Sequence, residues 1–128
     1  MPILLQIALG GAIGAVLRHL LATSVARLAG YGFPWGTLSV NVVGGFAMGI
    51  AAVLLLRRGD PGPAVFAPFV MAGVLGGFTT FSAFTLEVFD LVTRERPGLA
   101  LAYVLASVGL SLAAFTAGVW TLRGTGAA

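Results

Sequence analysis

Apolar residues run through the chain in four long stretches, separated by short turns that hold most of the charges. The stretches run roughly from Ile3 to Ala22, from Thr37 to Leu56, from Ala64 to Val92 and from Leu99 to Leu122. About 20 mostly apolar residues suffice for a helix to cross a bilayer, so four membrane-spanning helices are predicted. The intervening turns are rich in helix breakers: Gly30, Gly32 and Pro34 in the first, Gly59, Pro61, Gly62 and Pro63 in the second, Pro97 and Gly98 in the third. Tyr31 and Trp35 suit the membrane interface. The third stretch is too long for one straight helix, at roughly 43 Å against a hydrocarbon core of about 30 Å. A break near Gly76–Thr80 resolves the excess. Gly76 and Gly77 are poor helix residues, and the hydroxyls of Thr79, Thr80 and Ser82 compete with the helix ladder for backbone groups. A break inside a membrane span frees N–H and C=O groups, which only protein, water or an ion can take up. Gly73–Glu87 is therefore the candidate working segment.

The polar residues inside the spans are few and regularly placed. Thr37, Asn41 and Gly45 recur every four residues and share a face of the second helix. Tyr103, Ser107 and Ser111 do the same on the fourth. Asn41 either bridges helices or lines a pore; its alignment with Thr37 favours the pore. Phe81 and Phe84 stand three apart, so they share a face where the helix resumes. Glu87 and Asp90 fall late in the third span, where they can reach the interface. Gly10/Gly14 and Gly45/Gly49 form G-x-x-x-G pairs that permit close helix approach, within or between subunits. Arg18 either snorkels to the headgroups or holds a structural or pore-mouth position. His19 reads as interfacial, since no second ligand accompanies it.

Composition sharpens this. Hydrophobic residues make up 59% of the 128 residues and charged residues 9%, against roughly 25% charged in soluble domains. Residues 1–128 read as one four-helix transmembrane domain. The apolar run from Ile3 continues into a full span without a charged leader, so the N-terminus reads as mature sequence rather than a signal peptide, and the tail after Arg123 reads as disordered. Seven arginines and no lysine give a net charge of +3, and their scatter offers no basic run for nucleic acid. The chain has no cysteine and one histidine. With no paired carboxylates facing a nucleophile, an enzyme is not expected. Arg57, Arg58 and Arg123 fall on one side of the membrane, Arg27, Arg94 and Arg96 on the other, joined by Arg18 if it snorkels. That near balance carries almost no orientation bias. Two oppositely inserted copies can then pair about a two-fold axis in the membrane plane.

Three segments, GGAIGAVLRH (Gly10–His19), GTLSVNVVGGFAMG (Gly36–Gly49) and GVLGGFTTFSAF (Gly73–Phe84), closely resemble the Fluc/CrcB family of fluoride channels. Length and the four-span plan agree over nearly the whole chain. One departure is Ala83, where the family often has threonine or serine. The resemblance implies an antiparallel dual-topology homodimer in a prokaryotic cell (inner) membrane, with two narrow fluoride pores. It implies passive export of fluoride, driven by the membrane potential and protecting the cell from fluoride toxicity. It also implies a structural sodium ion at the dimer centre, held by the backbone carbonyls of Gly76 and Thr79. Carried over, the pore positions are Asn41, Phe81, Phe84 and Ser107, with Thr37, Tyr103, Ser111 and Glu87 along the same polar track. Arg18 matches the first-helix arginine. Donors on Asn41, Ser107 and Tyr103 could replace fluoride's water, and ring edges of Phe81 and Phe84 carry the positive part of the quadrupole. Two other readings of the residues stand beside this one. A small proton-coupled multidrug exporter also has four spans, but it needs an embedded carboxylate, and only Glu87 and Asp90 could serve. A non-transporting membrane assembly factor would be consistent with the glycine faces alone.

Overall fold

The computed structural model describes residues 1–56 and 60–124 and is all-helical over them. Helix α1 spans Ile3–Ala29 and α2 spans Trp35–Leu55. The third crossing opens with a single 3-10 turn at Pro63–Phe66, widens into a π-helical run at Pro68–Leu75 and tightens to a short α3 at Gly76–Phe78. Helix α4 then spans Ser82–Thr93 and α5 spans Pro97–Arg123. Four segments are long and apolar enough to cross a membrane, the third of them Pro63–Thr93. Arg57 and Arg58, which weigh in the charge balance across the membrane, lie outside the described residues, as does the tail from residue 125.

Helix ends follow backbone chemistry more closely than the edge of the apolar stretch. The first helix was expected to stop near Ala22 but continues to Ala29, because nothing between Thr23 and Ala29 breaks it. It stops at Gly30, whose φ of 89° suits a residue without a Cβ. Pro63, Pro68 and Pro97 each stand at the start of their segment. At Pro63 and Pro97 the missing proline N–H would have had no partner within the helix anyway. The π-helical run shows in Gly76, whose N–H reaches back five residues to Met71 O.

Two glycine seams hold the bundle together. Helix α1 lies against the π-helical run, where a methyl at Gly14 would collide with the Val74 carbonyl and one at Gly10 with Phe69 O. Helix α2 lies against α5, where a methyl at Gly49 would strike Phe115 O and one at Gly118 would strike Phe46 O. Both G-x-x-x-G pairs are thus used within the chain. A small apolar core of Leu38, Phe84, Leu91, Ala100 and Tyr103 joins α2, α4 and α5. Elsewhere the outer faces are apolar and uncovered, with Leu4, Leu28 and Trp120 each more than two-thirds exposed. Such a surface requires lipid or a partner subunit.

Candidate functional site

The site is built around residues 79–81, which separate α3 from α4. Thr79 is extended, with φ −76° and ψ 157°. In a continuous helix the Thr80 N–H would bond Gly76 O, and the Ala83 N–H would bond Thr79 O. Neither does. Thr80 N donates to Asn41 Oδ1 at 2.8 Å, and Ala83 N donates to Thr80 Oγ1 at 3.1 Å. Asn41 Nδ2 in turn donates to Thr80 O at 2.9 Å. One amide side chain on α2 thus pairs with both backbone groups of one residue in the third crossing. The Thr80 hydroxyl meanwhile starts α4 in the manner of a capping residue. Thr79 is pinned backwards: its N–H and its Oγ1 both donate to Leu75 O, at 3.0 and 2.9 Å.

Arg18 reaches toward residues 79–81, where its Nη1 donates to Thr79 O at 3.5 Å, the outer limit of a hydrogen bond. Gly76 is exposed on the outside of the chain and Thr79 half-buried.

A second cluster lies between α2, α4 and α5. Glu87 accepts from Thr37 Oγ1 at 2.7 Å through Oε1, and from Tyr103 OH at 2.6 Å through Oε2. Tyr103 is fully buried. Each hydroxyl has one hydrogen, so in this arrangement Thr37 and Tyr103 give theirs to Glu87. Ser107 and Ser111 differ. Their Oγ atoms are buried and have no hydrogen-bond partner among the described residues. Several other helical hydroxyls return to the carbonyl four residues back, as Thr23, Thr85, Thr116 and Thr121 do.

Phe84 is buried between Phe81 and Tyr103, with ring centroids 5.3 and 5.2 Å away. Phe81 is 74% exposed on its own chain. Asn41, Thr79, Thr80, Phe81, Phe84, Ser107 and Ser111 line a cavity of about 330 Å³, with Val108 and Leu112 completing it. No ionisable side chain lines it. A second cavity of about 440 Å³ opens near the turn after α1; Thr37, Glu87, Asp90, Arg94 and Arg96 contribute its polar lining. Thr37 and Glu87, from the hydrogen-bonded cluster, belong to its wall. Arg94 there pairs with Asp90 at 3.0 Å.

The expected polar faces therefore meet, but in two groups. Asn41, Phe81, Phe84, Ser107 and Ser111 share the inner cavity. Thr37, Tyr103 and Glu87 form the hydrogen-bonded cluster beside it. Arg18 lines neither cavity. Gly45 serves packing, since a methyl there would press on Ser111 O. Sequence reasoning named Thr80 only among the hydroxyls that compete with the helix ladder, and gave Arg94 and Arg96 no role in the site. For Thr80 a signal existed: a threonine three residues before Ala83, at the point where the apolar helical pattern resumes, is a helix-start signature.

An all-helical chain with four segments long and apolar enough to cross a membrane is a multi-pass membrane protein. The family described as CrcB-like protein, Camphor Resistance (CrcB), matches over residues 5–119, and the chain belongs to it. It is 54% identical over 121 residues to a protein of Cereibacter sphaeroides (strain ATCC 17029), covering 94% of each chain. It is 52% identical over 120 residues to one of Paracoccus denitrificans, again covering 94% of each. A protein of Caulobacter vibrioides is 45% identical over 120 residues, with the same coverage. Each of these relatives is named fluoride-specific ion channel FluC. The family is one of ion channels, not enzymes.

Proposed function

We propose that this chain is a fluoride-selective channel that exports fluoride passively down its electrochemical gradient, protecting a prokaryotic cell from fluoride toxicity across its inner membrane. The observation that carries the reading is the inner cavity. Two buried hydroxyls without partners, Ser107 and Ser111, stand beside Phe81, Phe84 and Asn41, with no charge on the wall. Fluoride is small and strongly hydrated, so a dry path must replace its water with donors. The two serine hydroxyls have hydrogens to give, and Asn41 Nδ2 carries a second N–H beyond the one held by Thr80 O. Phenylalanine edges add weak positive potential. Neutral dipoles of this kind bind an anion firmly enough to admit it and loosely enough to release it, as conduction requires. For Thr37 and Tyr103 to join this track, their hydrogens must leave Glu87.

The working unit in this reading is an antiparallel dual-topology homodimer with two pores. The exposure of Phe81 supports it. So does the size of the inner cavity: about 330 Å³ equals roughly ten water volumes, too wide for a dry single-file path until a partner closes the open side. A structural sodium ion at the dimer centre completes the reading. Hard cations take oxygen ligands, and the Gly76 and Thr79 carbonyls fit, because the ladder hydrogens that would occupy them go elsewhere. When bound, the ion would tie the two third crossings together.

The test is efflux from liposomes loaded with fluoride or chloride, with no proton gradient. Fluoride should leave once a potassium ionophore dissipates the potential, and chloride should stay. Equal release of both ions, or release that needs a proton gradient, would overturn the reading. For the dimer, several lysines added to the Arg57–Pro63 turn should force one orientation and suppress flux. Coexpression with an oppositely biased variant should restore it. Normal flux from the one-way variant alone would exclude the antiparallel arrangement.

A further inference from the structure

We propose that Asn41 and Thr80 are positioning residues for the central cation: their side chains hold open the two carbonyls that would coordinate it. The inference rests on the sodium reading above and adds what creates the site. An unbroken ladder through this segment would close Gly76 O with the Thr80 N–H, and Thr79 O with the Ala83 N–H. Two side-chain acceptors intercept those two hydrogens. Asn41 Oδ1 takes the Thr80 N–H at 2.8 Å, and Thr80 Oγ1 takes the Ala83 N–H at 3.1 Å.

Asn41 also donates through Nδ2 to Thr80 O at 2.9 Å, so it grips the residue from both sides and keeps the segment from slipping back into helix. Thr80 is buried, with 9% of its surface exposed. If Asn41 is lost, the Thr80 N–H loses that acceptor. Recapture by Gly76 O then becomes the best available pairing, and the cation loses a ligand. The Thr79 carbonyl also accepts from the Arg18 guanidinium at 3.5 Å, the outer limit of a hydrogen bond, so a bound cation would have to displace that contact. Asn41 belongs at the same time to the inner cavity wall. One side chain thus links the anion path to the cation site, through a single backbone residue.

The experiment uses purified full-length protein in lipid nanodiscs. Thermal unfolding is followed while sodium replaces N-methylglucamine at constant ionic strength. In the wild type, sodium should raise the melting temperature by mass action. Thr80→Val removes the accepting hydroxyl at nearly constant shape, and Asn41→Leu removes both amide contacts. Each should move the sodium midpoint upward by at least about tenfold. Thr80→Ser retains the hydroxyl and should keep the midpoint within about threefold of wild type. A general packing defect would lower the melting temperature at every sodium concentration without moving the midpoint. A wild type indifferent to sodium would overturn the sodium reading and this inference with it. A sodium-dependent wild type with unmoved midpoints in Thr80→Val and Asn41→Leu would overturn this inference alone. If those variants do not assemble, the wild type decides through hydrogen-bond scalar couplings in isotope-labelled protein. The Thr80 amide nitrogen should couple to the Asn41 side-chain carbonyl carbon. Coupling to the Gly76 carbonyl carbon instead would overturn the proposal.

Discussion

Two of the cavities among the described residues are of similar size, about 440 and 330 Å³, but of opposite material. The outer one carries Glu87, Asp90, Arg94 and Arg96 on its wall. The inner one has no ionisable group, only hydroxyls, one amide, two phenyl rings and aliphatic carbon. The Thr37–Glu87–Tyr103 cluster contributes to the outer wall, and Tyr103 packs on Phe84 of the inner one. In water, full charges can attract an ion cheaply, because solvent screens them. In a dry site the same charges would hold a counter-ion too tightly or repel a like one, since a low dielectric magnifies both effects. If the neutral cavity is the fluoride path proposed above, the difference between the cavities matches what such a route requires: charge where ions gather, neutral dipoles where they pass.

The largest expected effect separates a ring that packs from a ring that faces the ion. Phe84→Ile and Phe81→Ile each keep an apolar side chain but remove the quadrupole. Phe84 is 7% exposed and Phe81 74%, so packing alone predicts very different outcomes. Phe84→Ile should cost about 1–3 kcal/mol of stability and Phe81→Ile little within its own chain. If both rings line the pore, fluoride flux per assembled dimer should fall in both by about tenfold or more. Efflux and thermal unfolding on the same preparations decide this. Full flux in both variants would remove the rings from the mechanism and leave Asn41 and the serines as the anion's partners. Methionine at either position fills the gap with a polarizable chain, and partial recovery of flux there would point to polarizability rather than shape.

The next effect is smaller and opposite in sign between stability and flux. Ser107 and Ser111 bury hydroxyls that nothing described satisfies, an arrangement that lowers stability. Ser107→Ala and Ser111→Ala should therefore leave the melting temperature unchanged or raise it, by up to about 1 kcal/mol of stability each. Flux should fall on the order of threefold or more, because a donor for the dehydrated anion is gone. A stability gain with unaltered flux would show the inner cavity's hydroxyls to be bystanders, and its contrast with the charged cavity would lose its functional meaning.

Some of this was legible in the residues and some was not, for physical reasons. Four spans follow from apolar length, and the match of Thr37–Asn41 with Tyr103–Ser107–Ser111 follows from a spacing of four. A G-x-x-x-G pair announces a close contact, but not that Gly14 would meet the backbone of Val74 or Gly49 that of Phe115. Those partners depend on how the helices rotate and slide, which local pattern does not encode. The same holds for the hydrogen bonds. Each polar residue was visible by itself. Which donor reaches which acceptor was not, so the engagement of Thr37 and Tyr103 with Glu87, and of Asn41 with Thr80, emerges only from the packed bundle. The first helix overran its expected end because apolarity marks the membrane, whereas Gly30 marks the helix.

The smallest expected effect tests the charged cavity by itself. Arg94 is paired with Asp90, and among the described residues no carboxylate pairs with Arg96, which stands exposed on the same wall. Arg96→Gln removes one positive charge without disturbing a buried contact, so stability should not change. If the cavity gathers anions electrostatically, fluoride flux at about 10 mM ionic strength, where the screening length is about 30 Å, should drop roughly twofold. At about 1 M, where it is about 3 Å, wild type and variant should coincide. Phe81→Ile should show no such convergence, because it removes a neutral ring rather than a charge. An Arg96→Gln defect that persists at high salt would assign the residue a local contact rather than a field, and an absence of any defect at low salt would leave the neutral cavity as the sole determinant of conduction.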